Sequence, residues 1–170
     1  MLTSVLTFPA PHNRFAGIEP GDLNEVEAGS LVELALAALD LRYRPRKRLA
    51  TPQETQAYLR LRLAGCERET FGALFLAPGR RVVAVEELFF GTIDRVSVHP
   101  RVVLQRALQL DAGAVILYHY APWGLAEPSP AQRILTAKLK DALALVEIQV
   151  LDHVVVGAEG CVSFAERGWL

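Results

Sequence analysis

The residues best placed to do chemistry lie between Ala114 and Gln132. An apolar, β-branched run from Ala114 to Tyr118 reads as a buried strand. His119 stands at its end, and a loop punctuated by Pro122, Gly124 and Pro128 leads on. Ser129 then opens a helix, with Pro130 in its first turn and Gln132 three residues on, the pattern of a capping box. A histidine at the carboxyl end of a strand, facing a capped helix, occupies the place where α/β proteins keep their active sites. Each residue also has a plainer use. Ser129 serves as an N-cap whatever the chemistry. His119 reads equally as a strand-end histidine satisfied by its neighbours. Gln132 suits a capping box and, as a neutral amide, suits a metal poorly.

The elements around this stretch follow from pattern and punctuation. Residues 1–22, rich in Pro, Gly and Asn, read as a loose arm. Residues 23–50 carry an amphipathic helix, firm over Ser30–Leu41, and a linker in which Arg42, Arg44, Arg46, Lys47 and Arg48 crowd around Pro45. That run suits a phosphate or nucleic-acid contact, but without interleaved aromatics it reads as a solvated linker. The main domain spans residues 51–170. Thr51-Pro52-Gln53-Glu54 caps a helix to about Leu63. Phe71–Leu76 and Val82–Phe90 form a hairpin around Pro78-Gly79, and Thr92–Val98 continues as an irregular strand. A helix over His99–Leu110 precedes the central strand. The capped helix runs from Ser129 to about Val146, before strands at Ile148–Val156 and Cys161–Phe164. The order α-α-ββ-α-β-α-ββ gives an α/β fold, a mixed sheet flanked by helices.

Composition narrows the function class. A hydrophobic share of 51% with 22% charged residues fits a globular core rather than a disordered chain. Net charge of −1 gives no overall pull towards nucleic acid or acidic membranes. No apolar run reaches the eighteen or so residues of a membrane span, so no membrane partner is expected. The N-terminus lacks the cationic start and apolar core of a signal peptide, and Cys66 and Cys161 form no CxxC motif. A cytoplasmic location with two reduced thiols is expected.

The central stretch resembles the metal-site segment of the RadC family, within the JAB/MPN (JAMM) metalloprotease-like group. That segment reads His-Asn-His-Pro-Ser-Gly-Asp, then Pro-Ser-x-x-Asp. Here it reads His119-Tyr120-Ala121-Pro122-Trp123-Gly124-Leu125, then Pro128-Ser129-Pro130-Ala131-Gln132. The likeness extends through Glu86-Glu87-Leu88-Phe89-Phe90-Gly91-Thr92, Val98-His99-Pro100-Arg101, Leu151-Asp152-His153 and Val162–Gly168. It implies a JAB/MPN-like fold of cytidine-deaminase-like architecture. In length the chain looks like the short RadC-like proteins often carried on mobile elements, without the helix-hairpin-helix region of the longer ones. The family's association with DNA repair therefore transfers weakly.

For intact relatives the resemblance implies zinc held by two histidines and an aspartate, with a glutamate as base and a serine beside the oxyanion. Carried over, the first histidine falls on His119, the glutamate on Glu86 and the serine on Ser129. Glu87 is the other candidate glutamate, but strand alternation turns it to the opposite face. Ala121 and Gln132 stand where two ligands belong. The expected reading is a dismantled zinc site, with Glu86 and Ser129 vestigial and no cofactor, unless His153 or Asp152 rescues the metal. The loop has also gained Tyr120, Trp123 and Leu125, residues that suit an interface with a protein partner or a second copy. A catalytically inactive binding or scaffolding module is therefore expected. The alternatives are a zinc-dependent, peptidase-type metallohydrolase with unusual ligands and a nucleic-acid-associated protein.

Overall fold

A computed structural model describes residues 19–42, 51–91, 97–124 and 126–170. They fall into two compact units divided between Ala35 and Leu36. In the first, a short 3-10 turn at Pro20–Asp22 leads to helix α1, Glu25–Arg42, which runs on into the second unit. The helix begins five residues before the expected firm part. Asn24 and Glu27 exchange backbone-to-side-chain hydrogen bonds of 3.0 Å each, a second capping box at its start. The basic residues from Arg44 to Arg48 and residues 92–96 of the expected strand Thr92–Val98 lie outside the described residues, and Ser97 and Val98 are in no strand.

The second unit is a five-stranded mixed sheet between helices. Its strands are β1 (Thr70–Ala77), β2 (Arg81–Phe90), β3 (Ala114–Ala121), β4 (Gln149–Gly157) and β5 (Cys161–Ser163), in spatial order β2-β1-β3-β4-β5. Only β3 and β4 pair in parallel, because helix α4 (Pro130–Ala144) carries the chain back between them. The β1–β2 hairpin turns through Pro78–Arg80, with Gly79 and Arg80 both at positive φ. Helix α2 (Pro52–Leu63) starts at the Thr51 cap, whose hydroxyl accepts from Glu54 N–H at 3.2 Å. Helix α3 (Pro100–Gln109) follows His99, which makes no side-chain cap.

Alternation along the strands builds two cores. Phe71, Ala73, Phe75, Val115 and Leu117 face α3 and α4, where Val103, Ala107, Leu139 and Leu143 meet them. Leu74, Leu76, Ile116, Tyr118 and Val154 face α2, against Tyr58, Leu59 and Leu63. Each fully buried Leu or Phe contributes about 1.5–3 kcal/mol, so these layers fix which face each strand residue takes. The central strand runs three residues further than its apolar run suggested. Its ladder continues through His119↔Val155 to Ala121↔Gly157, so His119 lies inside β3 rather than at its end.

One close approach locks the hairpin to the central strand. The Tyr118 ring lies across Gly72, and its hydroxyl donates to the Glu86 carbonyl at 3.2 Å. A Cβ on Gly72 would overlap both the ring and that carbonyl, which are held by the sheet and cannot retreat. We predict that Gly72→Ala destabilises the fold by about 3 kcal/mol or more. Gly160→Ala, where a Cβ meets nothing within 4 Å, should shift the urea midpoint little. Equal midpoints for the two variants would refute the close-approach account.

Candidate functional site

His119 sits on the α3/α4 face of β3, with its ring edge-on to Phe71 and only 7% of the residue exposed. Ser129, at the N-cap of α4, accepts from Gln132 N–H at 3.2 Å, and Gln132 Oε1 accepts in return from Ser129 N–H at 2.7 Å. A complete cap of this kind is worth about 1 kcal/mol. It also orients the amide. With Oε1 committed to the cap, the Gln132 amide nitrogen is the end that meets His119 Nδ1. That nitrogen only donates, so Nδ1 must accept and the imidazole proton resides on Nε2. His119 is thereby held as one neutral tautomer.

The Nε2 side of His119 faces a glutamate that sequence reasoning did not single out. Glu69, just before β1, places Oε2 3.7 Å from Nε2. This is beyond hydrogen-bond range, and Nε2 has no hydrogen-bond partner among the described residues. Glu86, the expected carboxylate, lies on the same face of the sheet and opposite Ala73. Arg106 of α3 clamps it through two hydrogen bonds of 2.6 Å, which hold its carboxyl below the usual carboxylate range. Glu87 pairs with Gly72 and so faces the α2 side.

One turn further along α4, Thr136 reaches the second strand histidine. Its hydroxyl spends its one hydrogen on the Gln132 carbonyl at 2.7 Å, so the 2.6 Å contact with His153 Nδ1 is a donation from the imidazole. Asp152 is engaged on the opposite face. Its carboxylate accepts from His153 N–H, Ala165 N–H and the Ser163 hydroxyl at 2.7, 3.0 and 2.7 Å.

A zinc ion needs ligands with free lone pairs, deprotonated and converging on one point. Ala121 offers a methyl group. The Gln132 amide is occupied at both ends, by the cap and by His119. The His119 lone pair is engaged by that amide, and its other nitrogen carries the proton. Among the described residues, no group of three or more His, Cys, Asp or Glu side chains is arranged to hold a metal ion. These residues do not fit a two-histidine, one-carboxylate zinc centre.

The loop after β3 is fastened on both flanks. Ala158 N–H donates to the Gly124 carbonyl at 3.3 Å, and Arg167 forms a bidentate pair with Glu127 at 2.5 and 2.7 Å. Trp123, between the end of β3 and the tied Gly124, is 75% exposed. Tyr120 is placed differently from the expectation that grouped it with the loop. Because β3 continues to Ala121, alternation turns Tyr120 to the α2 face, half-buried against the second core. Leu125 lies outside the described residues.

Comparisons with known proteins agree with this architecture. Residues 49–169 match the model of the RadC-like JAB domain. A UPF0758 protein of Leptothrix cholodnii is 47% identical over 162 residues, 95% of this chain and 72% of that protein. One from Vibrio cholerae is 51% identical over 140 residues, covering 82% of this chain and 88% of the relative. One from Nitrosococcus oceani is 57% identical over 122 residues, 72% and 54% respectively.

Burial sets a pH limit on this site. It pushes the His119 pKa down to about 4 and, with His119 as a second cause, that of His153 to about 3. Unfolded histidine titrates near 6.5, so as pH falls the unfolded chain takes up protons first. Stability is whole above that value and drains away from about pH 6.5 down to about 4 for His119 and about 3 for His153, by up to roughly 1.4 kcal/mol per pH unit for each imidazole. Urea midpoints at about pH 7.5 and about pH 5 check this, and His153→Gln should flatten the dependence. A wild-type midpoint unchanged between those conditions would refute it.

Proposed function

The chain belongs to the RadC-like JAB domain family, and on that premise we propose that it is a catalytically silent member acting as a binding or scaffolding module. The observation that carries this reading is the Gln132 amide. It occupies an aspartate's place in the family motif and spends both its ends on Ser129 and His119. A complete protein zinc site gains about 10–16 kcal/mol from its ligands. One imidazole of three ligands, its lone pair already hydrogen-bonded, retains a small fraction of that. Without a Lewis acid, neither Glu86 nor Glu69 has an acidified water to deprotonate. Ser129 then serves the helix rather than an oxyanion. Glu86 serves the α3 contact.

The binding half of the proposal rests on Trp123. A tryptophan that had merely filled an emptied pocket would be buried, whereas this one is 75% exposed between the end of β3 and the tied Gly124. Large aromatic side chains of this kind anchor protein interfaces, with a protein partner or a second copy of the chain as the occupant.

Two measurements test the proposal. Protein purified without chelators or added metal should carry far less than one zinc per chain. A stoichiometric zinc that survives dialysis and disappears in His119→Ala would overturn the silent-site reading. Trp123→Ala should weaken self-association or partner capture by about 2 kcal/mol or more and leave the urea midpoint nearly unchanged. If instead it cost about 3–5 kcal/mol of fold stability with association untouched, the ring would belong to the core.

A further inference from the structure

Helix α1 is made of residues that normally bury, yet none of its described residues is buried. From Leu31 to Leu41 only Glu33 and Asp40 interrupt a run of Leu, Val and Ala. Val32, Ala35 and Leu36 are half-buried along one stripe. Leu31, Leu34, Ala38 and Leu41 form a second stripe, spaced by three, four and three residues, and all four are exposed. Leu34 is 57% exposed and Leu41 64%. A single exposed leucine is ordinary, but a continuous apolar stripe over about three turns marks a surface that meets another. A helix of 18 residues is also only marginal in water without packing.

Alternating steps of three and four are the heptad spacing of a two-helix seam, with Glu33 outside it. Charge along the chain then selects the occupant and its direction. Asp22, Glu25 and Glu27 stand at or just before the start of the helix. Arg42, Arg44, Arg46, Lys47 and Arg48 follow in the sequence at its end. Two copies side by side in parallel would bring like ends together. They would also set Glu27, four residues before Leu31 on the same seam, against its own copy. Two antiparallel copies set the acidic start against the basic end and oppose the helix dipoles. That arrangement is self-complementary, as a two-fold contact between identical chains must be. It places Leu31 on the second copy's Leu41, and Leu34 on the second copy's Ala38, where a small residue lets the helices close. An anionic bilayer would repel the acidic half.

We infer that α1 pairs antiparallel with α1 of a second copy through Leu31, Leu34, Ala38 and Leu41. This surface is separate from the Trp123 loop, which the test leaves intact. Sedimentation velocity on the full chain, from about 1 to about 200 µM, should show a reversible monomer–dimer equilibrium, weak as befits a small interface. Leu34→Ala with Leu41→Ala, which keeps the helix propensity high, should raise the dissociation constant at least about tenfold. Val26→Ala, more exposed still but off the stripe, should change it by less than about twofold. Orientation is read by cross-linking in a Cys66→Ser, Cys161→Ser background. There Leu31→Cys mixed with Leu41→Cys should form the mixed disulfide dimer in preference to either self-linked one. The pairing is overturned if the chain stays monomeric throughout, which would leave residues 1–18 or a different protein to cover the stripe. It is equally overturned if the double variant associates like the wild type, or if Val26→Ala weakens association as much as the double variant does. Preferential self-linking of each cysteine variant would overturn the antiparallel direction.

Discussion

The position of β3 between two core layers is the constraint from which the rest follows. It pairs with β1 on one side and β4 on the other, so its register is fixed twice over. Successive residues must then serve opposite layers. Tyr118 goes to the α2 side and closes over Gly72, His119 goes to the α3/α4 side and meets Gln132, and Tyr120 returns to the α2 side. A one-residue slip would exchange all three assignments at once, exposing a histidine to one core and a tyrosine to the wrong helix. The strand can therefore change its chemistry only one side chain at a time, on an unchanged frame.

Within that frame, polar groups are joined in a chain rather than gathered around a point. The Ser129 cap orients Gln132, Gln132 sets the tautomer of His119, and the Gln132 carbonyl takes the proton of Thr136, which turns His153 the other way. Every link is a neutral hydrogen bond. A buried charge would cost far more to hold without a partner, and burial keeps both imidazoles uncharged. Helix α4 and the sheet are thus connected by two imidazole contacts one helical turn apart. The aromatic rings of Phe71 and Phe164 pack on either side of His153, at 5.7 and 4.7 Å between centroids.

Much of this could be read from the chain, and the gaps have physical causes. The element order, the Ser129 and Thr51 caps and the opposite facing of Glu86 and Glu87 all depend on local pattern, which sequence displays directly. The Asn24–Glu27 cap is equally local, and it makes firm the first turn of a helix whose apolar pattern is dense only from Ser30. The unbroken apolar run ends at Tyr118, and ending the strand there groups Tyr120 with Trp123. Its ladder continues for three more residues, and alternation alone would then have separated Tyr120 from His119. Glu69 could not be found that way. It belongs to no element, and only the β1–β3 pairing brings it to the imidazole. The same holds for Gly72, whose need for a bare Cα arises from a ring 46 residues away. The ion pair of Glu86 with Arg106 spans 20 residues and two elements, and nothing in either segment announces it.

The ties on the loop after β3 have an entropic consequence. A flexible loop loses backbone freedom when it is captured, at roughly 1–2 kcal/mol per residue fixed, and that loss is subtracted from whatever its contacts gain. Here the Gly124 carbonyl is already held by Ala158 and the Glu127 carboxylate by Arg167, while Trp169 stacks beneath the Arg133 guanidinium at 3.5 Å and steadies the segment that carries Arg167. Much of the ordering is therefore complete before any encounter. Any surface that meets the indole of Trp123 would find it already presented, so more of the contact free energy would survive as affinity and less would be spent on immobilising the chain.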